Sequence, residues 1–461
     1  MIGGLFKSAS RVALIAAAGV LAGSVAAQAA DLGGNCCADL EERVAELEAT
    51  TARKGNRKVS LTIYGNVNEA ILFWDDGDKS NAYIGSPETY RSRFGFRGEA
   101  QITADVKAGY LIELGLPTPA VTNQFNQKAG GDDATFAVQL RHSAWYLDSQ
   151  RLGRIHVGHT STATDGVNHA NLANTDFVAS PSIFDWMGGF YLRFKGAPSG
   201  IGGLSGQTWG NLNPTGDIGD GPRANVVKYT SPTLAGFQAS AAWGEDDFWD
   251  VALRYAGEFN SVRIAAAAGY AHWTDTNVGC ANSSTTAGKK DVDCESFAIS
   301  GSIMHVPTGL YAFGAHGRVW DDERKDAFGP GADWAKDKDQ FWYVQGGIER
   351  NWFGIGKTTL YGEYYKGDYG ASLKDNAPVN AALPVGAAEI WLTESEVKMW
   401  GVGVVQNIEA AAMDLYLSYR HYSGEVAGFE CAQANNPGSC DFGTGKLEDF
   451  DAVLAGGIIR F

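Results

Sequence analysis

The sequence predicts an all-β fold: a 16-stranded antiparallel transmembrane β-barrel, with a long third loop folded inward and a short periplasmic helix ahead of it. Three observations carry that prediction. From Val59 onward, apolar and polar residues alternate with period two over short segments, the pattern of strands with one apolar face. The connections between these segments are alternately long and tight, as extracellular loops and periplasmic turns are in barrels. The chain opens with an export signal and closes on Phe461, an aromatic ending the alternating run FDAVLAGGIIRF that starts at Phe450.

Residues 1–29 read as a signal peptide: Lys7 and Arg11, an apolar stretch from Val12 to Val25, then the small-x-small site Ala27-Gln28-Ala29. The stretch is about 14 residues long, short of the roughly 20 that span a bilayer as a helix. The mature chain is therefore expected to start near Ala30. Residues 30–58 contain DLEERVAELEATTARK (39–54), with Leu40, Val44, Leu47 and Thr51 at heptad spacing. About two heptads do not hold a coiled coil alone. The segment reads either as a solvated linker or as a helix that forms when barrels gather as trimers, facing peptidoglycan or another envelope component.

Residues 59–461 form the barrel, with strands expected at 59–74, 90–99, 105–116, 137–148, 153–161, 224–231, 236–244, 249–257, 261–273, 295–306, 310–320, 340–351, 357–367, 397–407, 412–422 and 449–461. In MDLYLSYRHY, Met413, Leu415, Leu417 and Tyr419 take one face and Arg420 the other. An arginine on lipid at the midplane costs about 2–4 kcal/mol, so Arg420 points into the lumen. The same rule sends Arg91, Arg93 and Arg97 inward and Phe94 and Phe96 outward, and turns Arg460 in while Ile459 and Phe461 face lipid. Glu69 shares the outer face with Val67 and Ile71, which suits a headgroup-level position or a contact covered by another subunit. About 60 residues, Thr162 to Arg223, separate the fifth and sixth strands. Loops that long are functional or disordered, and this one is expected to narrow the aqueous lumen of a barrel this wide.

Composition agrees: 59 Gly, 18 Tyr, 22 Phe and 13 Trp supply turns and aromatic girdles. A net charge of −16 excludes nucleic acid as a partner. Cys280 and Cys294 bracket one polar stretch, and Cys431 and Cys440 bracket another. Each pair is expected to staple a surface loop; metal binding is the rival reading, without the histidine and cysteine partners zinc requires. Cys36 and Cys37 either pair between subunits or stay free. No cofactor is expected, although the acidic outer loops offer carboxylates to divalent cations that bridge to lipopolysaccharide phosphates.

KVSLTIYGNVNEAILFW (58–74), YRSRFGFRGEAQI (90–102) and LRHSAWYLDSQRLGRIHVGHTST (140–162) resemble the general porins, most closely those of alphaproteobacteria. The resemblance implies a homotrimer in the outer membrane of a Gram-negative bacterium, passing small hydrophilic solutes and ions between lipid and lipopolysaccharide. It implies wall arginines facing loop carboxylates across a constriction. By motif position Arg93, Arg141 and Arg223 fall on that wall, with Arg91 and Arg97 beside them; Asp165, Asp176, Asp185, Asp217 and Asp220 are the loop candidates, Asp176 and Asp185 first. Many general porins carry Lys where this chain has Asn66, which weakens the positive cluster. Phe461 is then the signal read during barrel assembly.

Two rival functions have sequence support. Phe177, Phe184, Trp186, Phe190, Tyr191 and Trp209 could form a sugar-selective track or could anchor the long loop to the wall. His142, His156, His159 and His169 gather around the fifth strand, as an outer-membrane hydrolase would require, but no nucleophile elbow or HExxH motif accompanies them. By parity His156 faces the lumen, and His142 and His159 face outward.

Overall fold

The computed structural model describes residues 58–461 except 117–120, 129, 131–137, 197–205, 214, 245–247, 275–292, 322–323, 325–334, 374–388 and 432–439. The signal peptide, the heptad segment and Cys36, Cys37 and Cys280 lie outside the described residues.

One antiparallel sheet of 19 hydrogen-bonded segments closes on itself. Three staves are each broken in two, so the barrel has sixteen. They are β1 (Thr62–Asp75), β2 (Ser80–Gly85 and Arg93–Gln101), β3 (Val106–Gly115), β4 (Gln139–Ser149), β5 (Gly153–Ser161), β6 (Arg223–Thr230), β7 (Phe237–Gly244) and β8 (Trp249–Phe259). Then follow β9 (Val262–Trp273), β10 (Cys294–His305), β11 (Leu310–Asp321), β12 (Lys338–Arg350), β13 (Thr358–Tyr369 and Ser372–Leu373), β14 (Glu389–Ile408), β15 (Met413–Cys431) and β16 (Cys440–Lys446 and Phe450–Arg460). Most bounds fall within a few residues of expectation. β14 and β15 are the exceptions, at 20 and 19 residues. Their extensions rise past the apolar belt, where lipid no longer enforces alternation.

Trp145, Trp243, Trp342 and Trp400 lie exposed on the outer face with Val227, Leu253, Ile303 and Val402, an apolar band that lipid covers. The opposite positions face in, Arg420, Arg93 and Arg97 among them, as parity requires. Tight periplasmic turns set the register. Asn260 and Ser261, at φ 48° and 64°, make a two-residue hairpin whose left-handed backbone matches strand twist and favours Asn. Cys294 is disulfide-bonded and fully buried. Cys431 stands opposite Cys440 in backbone register.

The barrel seals where β1 meets β16, from Asn66 opposite Arg460 to Asp75 opposite Asp451. Gly65 and Phe461 exchange both backbone hydrogen bonds, at 2.9 and 3.0 Å. A Cβ on Gly65 would meet the Phe461 ring at 2.7 Å and the Arg93 carbonyl at 2.5 Å, so only glycine fits. Deleting Phe461, or making Gly65→Val, is expected to cut the yield of folded, heat-modifiable barrel on semi-native gels several-fold. Normal yield from both would show that the seam tolerates their loss.

Candidate functional site

The third loop, L3 (162–222), turns into the barrel because its first residues are captured there. The Ala163 and Thr164 amides donate to the Asp250 carboxylate at 3.0 and 2.7 Å. Arg254 donates to the Ala163 and Asp165 carbonyls at 2.9 and 2.7 Å. L3 then follows the inner wall: Ser300 donates to the Val167 carbonyl. Asn171 and Thr175 bond Gln345, and Asn174 bonds Glu349 and Asp414. At Gly219, φ is 74° and a Cβ would meet the Ala298 methyl at 2.3 Å, so glycine lets the loop lie flat on β10.

Apolar packing holds the centre of the loop. Ile183, Trp186, Met187 and Phe190 are fully buried. The Phe190 ring sits 4.9 Å from Trp74 and 4.8 Å from Phe450, while Phe177 meets Tyr416 and Phe184 meets Tyr369. Trp209 is buried beside Phe450. These rings are therefore taken up as wall anchors, not presented as a track. Arg420, fully buried, pairs with Glu363 at 2.8 Å, donates to the Ser180 carbonyl at 3.2 Å and lies 4.4 Å over Trp186.

Opposite these anchors, the wall carries a charged cluster. Glu113 on β3 accepts from Arg141 Nε at 2.7 Å and from the Tyr64 hydroxyl at 2.9 Å, with Arg93 at 3.7 Å. A β-bulge opposite Glu113 and Leu114 inserts Arg141 into β4. One extra residue re-aims the strand, so Arg141 and His142 both reach the lumen. His142, in phase with buried Ala144 and Tyr146, sits 4.0 Å from Glu113, not on the outer face that alternation counted from an inward Arg141 gives it. Arg91 pairs with Glu88, in the break of β2, and Arg97 lies 5.4 Å over the Tyr64 ring. Asn66 donates to the Arg91 carbonyl at 3.2 Å.

The loop carboxylates divide into two groups. Asp165 lies 3.8 Å from Arg223. Asp176 and Asp220 hold His169 at 2.7 and 3.4 Å, and Asp220 also accepts the Gly166 amide. These two are spent inside the loop and do not meet a wall arginine among the described residues. Asp185 and Asp217 instead gather with Glu88 into an acidic group. Glu88 feels Asp217, Arg141 and Arg91 together, and enclosure, then Asp217 and Glu88, push the Asp185 carboxyl well above its usual range. Glu88 and Glu113 are not among the residues the sequence points to. Inward parity within YLIEL marks Glu113 there, whereas Glu88 in a loop carries no such mark.

The four histidines each have a separate structural setting. His142 bonds the Thr160 hydroxyl at 3.1 Å, His156 packs on Tyr146, His169 is held by its two carboxylates, and His159 lies opposite outward-facing Ser143. Among the described residues, no group of three or more His, Cys, Asp or Glu side chains is placed to hold a metal ion.

No curated protein matches the sequence. The fold is similar to that of the anion-selective porin from Comamonas acidovorans, at 16% identity over 87% of this chain and 100% of that one, TM-score 0.51. It is also similar to a loop-L8 deletion mutant of the Vibrio cholerae outer membrane protein OmpT, at 13% identity over 88% of this chain and 100% of that one, TM-score 0.51. Salmonella typhi OmpF is a third, at 14% identity over 88% of this chain and 99% of that one, TM-score 0.50. These are likenesses of fold. The family model for Gram-negative porins matches residues 13–427, and the chain belongs to that family of outer-membrane diffusion channels.

Proposed function

We propose that small hydrophilic solutes and ions cross at a constriction between the wall arginines Arg93 and Arg141 and the loop acids Asp185, Asp217 and Glu88. The observation that carries this reading is the course of L3, folded into the lumen and bonded to the wall opposite the arginine cluster. Opposed charges across a narrow wet gap orient dipolar solutes and penalise apolar ones. Arg223 with Asp165 belongs to the upper rim of the same gap.

The barrels assemble as homotrimers in this reading. Supporting it, Glu69 lies on the apolar outer face, 3.4 Å from the Ser92 hydroxyl and flanked by exposed Val67 and Ile71, a position that favours a protein neighbour over lipid. In planar bilayers the purified full chain is expected to give ohmic conductance in groups of three equal steps. Arg141→Ala should raise the step size by tens of per cent, roughly, by opening the gap, and Glu69→Arg should weaken trimers on semi-native gels. A chain that gives no steps would sink the channel reading; single steps with intact Glu69→Arg oligomers would sink the trimer.

A further inference from the structure

L3 divides the inner wall electrostatically. It bonds to or packs on β8 through β16 and β1, and the lumen-facing carboxylates under it are buried: Asp250, Asp339, Glu349, Glu363 and Asp414. Each is also bonded in place, four of them to a cation. Asp250 accepts loop amides, Asp339 binds Arg324 at 2.7 Å, Glu349 binds Lys357 at 2.7 Å, Glu363 binds Arg420 and Asp414 binds Arg460.

The wall that L3 leaves open, β2 to β7, has the opposite balance. Its inward strand positions carry Arg93, Arg97, Lys107, Arg141, Arg154 and Lys228 against Glu99, Glu113 and Asp148. Three of the cations are matched: Lys107 by Glu99, Arg154 by Asp148, and one of Arg93 and Arg141 by Glu113. Arg97 rests on the Tyr64 ring. Lys228 stands opposite His156, and among the described residues neither Arg97 nor Lys228 has a carboxylate at ion-pair distance. At the constriction itself Asp185, Asp217 and Glu88 oppose Arg93 and Arg141, so the unmatched charges are those on the periplasmic side of it: Arg97 follows Arg93 down β2 and Lys228 lies near the lower end of β6.

We propose that the channel is anion-selective, with L3 masking the acidic half of the wall and Arg97 and Lys228 extending the Arg93–Arg141 site into a cationic strip. The solutes it favours are small oxyanions, such as phosphate and short carboxylates, which the strip draws along its length. A chain of net charge −16 thus conducts anions, because selectivity follows the charges that face pore water. The inference rests on the diffusion-channel reading.

The test is the reversal potential of the full-length protein in a planar bilayer under a tenfold potassium chloride gradient. Chloride should permeate about 2- to 10-fold better than potassium, and potassium phosphate should give the same sign. Arg97→Gln with Lys228→Gln should bring the ratio toward one while conductance persists. A conducting channel that prefers potassium, or a double variant with an unchanged ratio, would overturn the proposal and leave the channel reading standing. A bilayer with no conductance would overturn both.

Discussion

Arg420→Ala is expected to destabilise the folded barrel by about 3–5 kcal/mol and to raise its conductance. The guanidinium is fully buried between β13 and L3 and makes two bonds to Glu363, at 2.8 and 3.0 Å. Truncation strands the Glu363 carboxylate with only the Tyr343 hydroxyl, 2.7 Å away. An uncompensated buried charge carries a penalty of about that size. The same change removes the bond to Ser180 and the surface on which Trp186 lies, so the centre of L3 loosens. Arg420→Met combined with Glu363→Leu removes both charges and should recover most of the stability, though not the Ser180 bond. Urea unfolding followed by gel mobility checks the first effect and single-channel recording the second. If Arg420→Ala unfolds at the wild-type midpoint, the pair does not hold the loop.

The second large effect is on pH. Enclosure opposes charging His169, yet Asp176 and then Asp220 hold its pKa well above the ordinary imidazole range; Asp217 also faces it. A histidine whose folded pKa is raised stabilises fully below its unfolded pKa, and that contribution is lost as pH rises through the folded value. Raising the pH from near 6.5 through that raised range should therefore release the latch at the start of L3 and make the current noisier. His169→Gln should abolish this pH dependence and lower stability at pH 6 by about 1.5–3 kcal/mol, the scale of a hydrogen bond to a charged group. Equal noise across pH in the wild type would refute it.

The sixteen staves were legible because lipid on one side and water on the other impose a residue-by-residue alternation. Arg420, Arg93 and Arg460 were placed by that rule alone. Where neither solvent acts, the rule is silent, and the upper parts of β14 and β15 escaped it. The bulge at Arg141 also escapes it, because one inserted residue leaves no trace in composition, and alternation counted from an inward Arg141 puts His142 on the wrong face. Within the site, the arginines were legible because charge on a membrane strand must face water. The loop acids were not, since Asp176, Asp185 and Asp220 look alike until the loop's path brings Asp176 and Asp220, but not Asp185, to His169. The loop aromatics supported two readings in sequence, and burial of Trp186 and Phe190 against Trp74 and Phe450 decided for anchoring.

The seam between β1 and β16 joins the first described strand to the last, Asn66 to Arg460. No other neighbouring pair of staves is so far apart along the chain; the rest are hairpins or, at L3, one long connection. Contacts of high sequence separation form slowly, because chain entropy is lost before pairing returns it. Closure is thus expected late in folding, and until it occurs β1 and β16 both present open hydrogen-bonding edges. On that expectation, the interval before Gly65 and Phe461 meet is when this barrel is most exposed to misassembly.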